Sequence, residues 1–304
     1  MWTKPWTMKE GFLIGGGLIV AGLMLQLSVG SVAWDGFAWP VNGVVLAGFL
    51  TLTVALFLLR KRVYAFRFIG SYKAAIPTLV YAVVLTIILG LSRQTANGTW
   101  LNNMLAFWPF VLVYVYMAVI LGVVILKRLS RLTSWRRDIP FLLNHLGLFL
   151  AMTTATLGNA DIQRLKMITV IGGPEWRAMT QEGAIREMPL AIELKKFIMD
   201  TYDDGSPKRF ASEILILTKS GKNIDTTVDV NKPVEVDGWK IYQYGYDTEM
   251  GALSQKSILE LVSDPWLPMV YAGIYLMLAG AVCMFAFGGR TQMKKELEKE
   301  DGRI

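Results

Sequence analysis

The chain has 304 residues, of which 53% are hydrophobic and 10 are tryptophan. Soluble proteins contain about 45–50% apolar residues, so this composition and the mean hydropathy of +0.41 indicate that much of the chain lies in a lipid bilayer. The net charge of +7 does not indicate a nucleic-acid partner, because residues 161–264 carry 13 basic and 17 acidic side chains and the positive excess lies elsewhere.

Six stretches without Asp, Glu, Lys or Arg are each 19 or more residues long: 11–34, 36–59, 74–92, 94–126, 139–160 and 265–289. A helix needs about 20 residues to cross about 30 Å of hydrocarbon. The sequence therefore predicts about six transmembrane helices. The first is expected to be a retained span, since its uncharged run of 24 residues is longer than the apolar region of a signal peptide.

Basic side chains are concentrated in two short loops, 60–73 and 127–137, with five Lys or Arg residues in each. The positive-inside rule makes these loops cytoplasmic. Both termini are then cytoplasmic, and the segment 161–264 lies on the outer side. Membrane lipid is thus an expected partner, and nucleic acid is not.

The resulting division of the chain has five parts. Four transmembrane helices with basic cytoplasmic loops occupy 1–138, and a fifth helix occupies 139–160. An extracytoplasmic domain follows at 161–264, then a last helix at 265–289 and a charged cytoplasmic tail at 290–304.

The outer segment has the pattern of an antiparallel β-rich domain. Residues 165–171 and 213–218 are short aliphatic or β-branched runs, and Asp237-Gly238 forms a turn signal before another run. Residues 190–202 fit a helix or a strand, and their periodicity does not decide between the two. The predicted fold is therefore a membrane α-helical protein with an extracytoplasmic antiparallel β-rich domain.

Cysteine chemistry is sparse in this chain. The single cysteine, Cys283, falls in the last hydrophobic stretch and cannot form an intrachain disulfide. The sequence contains neither a CxxC redox motif nor a CxxCH haem-attachment motif. It is therefore not expected to be a thiol oxidoreductase or a c-type cytochrome.

His145 is the only histidine, and it lies inside the fifth hydrophobic stretch. An ionisable side chain at that depth is costly and normally faces a bundle interior or a ligand. Imidazole suits haem iron, because one nitrogen donates a lone pair while the other is held by an acceptor. Two alternatives stay open: a histidine bonded to a helix carbonyl without a ligand, and a proton relay. A bis-histidine iron site would need a partner protein.

Four aromatic residues at the end of the outer segment are candidates for a partner surface. Trp239 is followed by Tyr242, Tyr244 and Tyr246, and the three tyrosines alternate as residues on one strand face do. Packing of that face against the domain's own core or the membrane surface is the simpler interpretation. Docking of a partner or a flat macrocycle is the alternative.

The order of residues in two blocks resembles the ResB family of cytochrome c biogenesis proteins, also called CcsB. A Pro-Leu-x-Ile-x-Leu-x-x-Phe run precedes Tyr, Gly-x-Pro and Ser, and the matching positions are Pro189, Leu190, Ile192, Leu194, Phe197, Tyr202, Gly205, Pro207, Phe210 and Ser212. Residues 230–247 form the second block, and Asp264-Pro265 leads into the last span. The resemblance covers about residues 139–289; the first four spans match nothing in the family.

The resemblance implies a function in the bacterial inner membrane. His145-Leu146-Gly147 matches the family's His-Leu-Gly element, which implies that His145 is an axial ligand of haem iron. Haem b would be carried or bound without covalent attachment, and the chain would act with a CcsA-like membrane protein to present it to apocytochrome c. No catalytic residue is assigned, because the chain is expected to be a non-catalytic or shared part of a haem-attachment complex.

Two other functions are kept as alternatives. A haem-free membrane scaffold or docking subunit of a respiratory or assembly complex would use His145 structurally. A secondary transporter is less favoured, because the spans lack charged pairs and a detectable inverted repeat.

Overall fold

A computed structural model describes residues 2–301 except 96, 97 and 99, and for 288–301 it describes the backbone alone. The last three residues of the predicted tail lie outside the described residues. The chain forms two compact units. One contains the residues up to 160 together with those from 266 onward, and the other is Asp161–Pro265.

The first unit is helical. Its helices are α1 (Met8–Val29), α2 (Val41–Leu59), the short α3 (Tyr64–Ile69), α4 (Tyr72–Leu91), α5 (Trp108–Leu129), α6 (Trp135–Gly158) and α7 (Leu267–Asp301). Short 3-10 helices cover Trp34–Phe37, Trp100–Ala106 and Asn159–Asp161. Within the described residues, six helical segments are long and apolar enough to cross a bilayer, so the predicted number of spans is confirmed.

Helix α6 packs along α7 through glycines. A Cβ added at Gly147 would lie 2.5 Å from the carbonyl oxygen of Gly273, and one added at Gly273 would lie 2.7 Å from the amide nitrogen of Ala151. Gly280 faces Asn144 in the same interface. Membrane helices gain little from burying apolar surface against each other, so close backbone approach through small residues supplies the packing energy.

Helix α6 begins at Trp135, four residues before the charge-free stretch from which the span was predicted. Asp138 therefore lies inside the first turn. Its carboxylate is 1% exposed and pairs with Arg128, with 2.6 Å between Oδ1 and Nη2. A charge that is paired and hydrogen-bonded does not end a helix. A helix start predicted from the charge-free stretch alone therefore falls too late in the chain.

The second unit is an eight-stranded antiparallel sheet. Its strands are β1 (Gln163–Val170), β2 (Pro174–Met179), β3 (Ile185–Thr201), β4 (Pro207–Thr218), β5 (Asn223–Asp229), β6 (Val234–Val236), β7 (Trp239–Tyr246) and β8 (Lys256–Ser263). The strand order is β5-β4-β3-β2-β1-β8-β7-β6. The predicted antiparallel β-rich domain is confirmed, and the undecided stretch 190–202 lies almost wholly in β3.

The sheet curls around a single apolar core. All eight strands contribute buried residues to one cluster, including Val228 of β5 and Val236 of β6 at opposite edges of the sheet. The Oγ atoms of Ser212 in β4 and Ser257 in β8 are 2.7 Å apart, although these strands are not neighbours. The inner face is therefore closed by packing across the sheet.

A substitution at the α6–α7 interface tests the packing. We expect Gly147→Ala to destabilise the full chain by about 1–3 kcal/mol, because the added methyl group overpacks a backbone contact. The measurement is the thermal unfolding midpoint in detergent. The control is Gly48→Ala in α2, where an added Cβ meets nothing within 4 Å. Equal midpoints for the two variants would contradict the assigned interface.

Candidate functional site

His145 lies in the middle of α6, about 15 Å along the axis from Trp135. Its Nδ1 is 2.8 Å from the carbonyl oxygen of Phe141, one turn earlier in the helix. A carbonyl oxygen only accepts, so this bond places the proton on Nδ1 and leaves the lone pair on Nε2. Within the part of the chain whose side chains are described, Nε2 has no hydrogen-bond partner.

The imidazole is also stacked on a phenyl ring. The ring centroids of His145 and Phe141 are 3.8 Å apart, and the planes are inclined by 21°. Phe141 thus contacts the imidazole twice, through its ring and through its backbone oxygen. The side chain of His145 is half-buried. Its Nε2 is thus left with a free lone pair, and a neutral imidazole nitrogen of this kind can serve as a metal ligand.

The face of α6 that carries His145 is not the face that packs on α7. Phe149, four residues later, stacks on Phe49 of α2 with centroids 6.0 Å apart. Asn144 lies against Gly280 of α7. Because residues four apart share a helix face, His145 belongs with Phe149 on the side of α6 that faces α2 and α5.

An apolar cavity of about 400 Å³ lies further along this face. Its walls come from α2, α5, α6, the two 3-10 helices before α2 and α5, and the start of the 3-10 helix that follows α6: Trp34, Val45, Phe49, Leu105, Phe110, Val111, Tyr114, Val115, Ala118, Met152, Thr153, Ala155, Thr156, Leu157 and Asn159. The hydroxyl groups of Thr153 and Thr156 donate to carbonyls of α6 itself, so they leave the wall apolar.

The cavity was not predicted from the sequence. Its first α6 residue, Met152, is about two turns beyond His145. The structure therefore does not bring His145 into this cavity. The stretches that form it are uniformly apolar, and such stretches carry no signal of which side chains face each other.

The four aromatic residues proposed as a partner surface do not share one face. Trp239 is 9% exposed and belongs to the sheet core. Tyr246 packs on Phe197, with centroids 5.1 Å apart. Tyr242 and Tyr244 lie on the other face, where the ammonium nitrogen of Lys166 is 3.8 Å from the ring centre of Tyr244.

A β-bulge explains the separation. The pairing of β7 with β8 shifts between Gln243 and Gly245, so the residues after the shift point to the opposite face. The prediction that Tyr242, Tyr244 and Tyr246 share a strand face is therefore wrong for Tyr246. Only Tyr242 and Tyr244 remain as candidates for contact with a partner.

One part of the chain matches a known protein family. Residues 133–259 match the model of the ResB-like family. The range includes all of α6 with His145 and most of the outer domain, and the resemblance seen in the sequence is confirmed over it. The match supports a role in cytochrome c biogenesis.

Other comparisons add little. No curated protein matches the chain. A solved structure named Cytochrome c Heme Lyase CcmF is similar at 15% identity with a TM-score of 0.39, over 93% of this chain and 46% of that one. The chain thus spans about half the length of that protein.

Substitutions on β7 test the separation of its two faces. We expect Trp239→Ala to destabilise the domain by about 3–5 kcal/mol, because it removes a buried aromatic side chain. Tyr244→Ala, at a side chain that is 51% exposed, should change stability by less than about 1 kcal/mol. Both stability changes are measured from the resistance of the full chain to a protease at increasing temperature. A larger loss for Tyr244→Ala would reverse the assignment of faces.

Proposed function

We propose that this chain is a membrane subunit of a cytochrome c biogenesis system. Together with a CcsA-like partner, it carries haem b across the bacterial inner membrane and presents it to apocytochrome c. The observation that carries this proposal is the ResB-like match over 133–259, which includes the one histidine of the chain.

The geometry of His145 supports binding of haem iron. Its Nδ1 is occupied by the Phe141 carbonyl, so the neutral ring offers Nε2 as a donor. When bound, haem supplies the iron that this nitrogen ligates, and the protein supplies the nitrogen and an apolar surrounding. A second histidine ligand would come from the partner, because the chain has none.

The proposed topology follows from charge. The basic loops at 60–73 and 127–137 face the cytoplasm with both termini, and the domain 161–264 faces the periplasm. Tyr244, which is exposed, and Tyr242, which is half-buried, belong to that domain and are available to a protein partner. In this arrangement the outer domain contributes to the acceptor site for apocytochrome c.

A haem-free scaffold is the second candidate function. One observation favours it: the bond from Nδ1 to the Phe141 carbonyl already satisfies one polar atom of His145 without a ligand. In that case the histidine is structural, and the outer domain binds a partner without handling haem.

Absorption spectra separate the two functions. The complex of this chain with its CcsA-like partner is expected to show a Soret band, and His145→Ala should reduce it by about tenfold, because an iron ligand is lost. Leu146→Ala, at the adjacent and 43% exposed position, is the control and should retain the band. If wild type shows no Soret band, or His145→Ala keeps it, the scaffold function is favoured.

Thiol labelling tests the topology. In a Cys283→Ser background, Ser220→Cys in the turn between β4 and β5 should react with a membrane-impermeant maleimide added to intact cells. Ser130→Cys in the loop between α5 and α6 should react only after the cells are broken. Both serines are exposed, so accessibility within the fold does not distinguish them. The reverse pattern would invert the proposed orientation.

A further inference from the structure

We infer that Asp138, Arg128 and Phe141 act in sequence as positioning residues for His145. The buried ion pair fixes the start of α6 and holds the guanidinium over Phe141, and Phe141 fixes the imidazole. This inference rests on the proposed function, since it concerns how the haem ligand is oriented.

The first step is the fixing of Asp138. Its Oδ2 accepts hydrogen bonds from the backbone amides of Thr133 at 2.7 Å and Ser134 at 2.8 Å. Its Oδ1 pairs with Nη2 of Arg128 at 2.6 Å. A carboxylate that is 1% exposed retains its charge only when such partners replace water. The end of α5, the connecting loop and the first turn of α6 are thus fastened to one side chain.

The second step is the contact between Arg128 and Phe141. The guanidinium carbon lies 5.0 Å from the centre of the Phe141 ring, within the range of a cation–π interaction. Nε of Arg128 is buried and has no hydrogen-bond partner in the described part of the chain. The guanidinium thus lies beside both the Asp138 carboxylate and the Phe141 ring.

The third step is the contact between Phe141 and His145. The stacked ring limits rotation of the imidazole about its Cβ–Cγ bond, and the carbonyl oxygen selects the Nδ1–H tautomer. The direction of the Nε2 lone pair depends on both. Groups that orient a metal-bound histidine change metal affinity by about 10–100-fold when they are removed.

The alternative role for the same residues is structural: the ion pair would only stabilise the turn between α5 and α6. The two roles differ in what a substitution changes. A residue that only stabilises the turn affects the unfolding temperature and leaves the bound haem unaltered. A positioning residue also changes the potential and the spectrum of the haem.

The test uses the full chain in complex with its CcsA-like partner, loaded with haem b. Phe141→Leu keeps an apolar side chain and the backbone carbonyl but removes the stacked ring. We expect it to lower the fraction of bound haem by about tenfold and to shift the midpoint potential of the remainder. Asp138→Asn should act in the same direction with a smaller effect.

Two conservative variants serve as controls. Arg128→Lys keeps the positive charge beside Asp138 and Phe141 and should retain most of the bound haem. Arg136→Lys changes an exposed arginine in the same helical turn as Asp138. Arg136 lies 5.6 Å from the ring of Trp135, which is not one of the three positioning residues. This variant should leave the potential and the spectrum of the haem unchanged. Phe141→Leu leaves the ion pair intact, so it decides the question even where Asp138→Asn fails to fold.

The outcomes separate the inference from the proposed function. In one outcome, haem binding by the wild-type complex depends on His145, but Phe141→Leu and Asp138→Asn leave the haem occupancy and midpoint potential unchanged. This outcome overturns the positioning role and keeps the proposed function. A wild-type complex without His145-dependent haem overturns both.

Discussion

The close approach of α6 and α7 is the constraint on which the rest of the membrane unit depends. The backbone of Gly147 lies against that of Gly273, where no side chain fits between the two helices. Lipid offers no hydrophobic driving force for this association, so van der Waals packing of the closely approaching backbones stabilises it. One face of α6 is consequently committed to glycine contacts. Side chains such as His145 must lie on another face, which His145 shares with Phe149, and Phe149 packs on Phe49 of α2.

In the outer domain, the strands next to α6 and α7 in the chain also pair with each other. Strand β1 follows α6 in the chain, β8 precedes α7, and the two strands pair along their whole length from Gln163 with Ser263 to Val170 with Lys256. The two places where the chain enters and leaves the domain are thus joined within the sheet by a continuous ladder. In the helical unit, α6 and α7 are held together by glycine packing. In the sheet, the strands that follow α6 and precede α7 are held together by backbone hydrogen bonds.

The sequence predicts features that depend on local composition, and it fails where a contact distant along the chain decides the structure. The six spans and the β-rich domain follow from runs of uncharged or alternating residues. The start of α6 does not, because Asp138 is stabilised there by Arg128 on another helix and by the backbone amides of Thr133 and Ser134. The position of Tyr246 depends on a bulge in the pairing of β7 with β8. The contacts of His145 with Phe141 are local, but a residue list does not specify a ring stack.

The hydrogen bond at Nδ1 also bears on how firmly such a histidine would hold iron. Its acceptor is a backbone carbonyl, which is uncharged, whereas many metal-binding histidines donate to a carboxylate. A neutral acceptor fixes the tautomer but raises the basicity of the ring less than an anion does. The chain also contributes a single histidine, so a bis-histidine iron site exists only while a second protein supplies the other ligand. Under the proposed function, a ligand of moderate strength in a shared site would suit a haem carrier better than a permanent cofactor site.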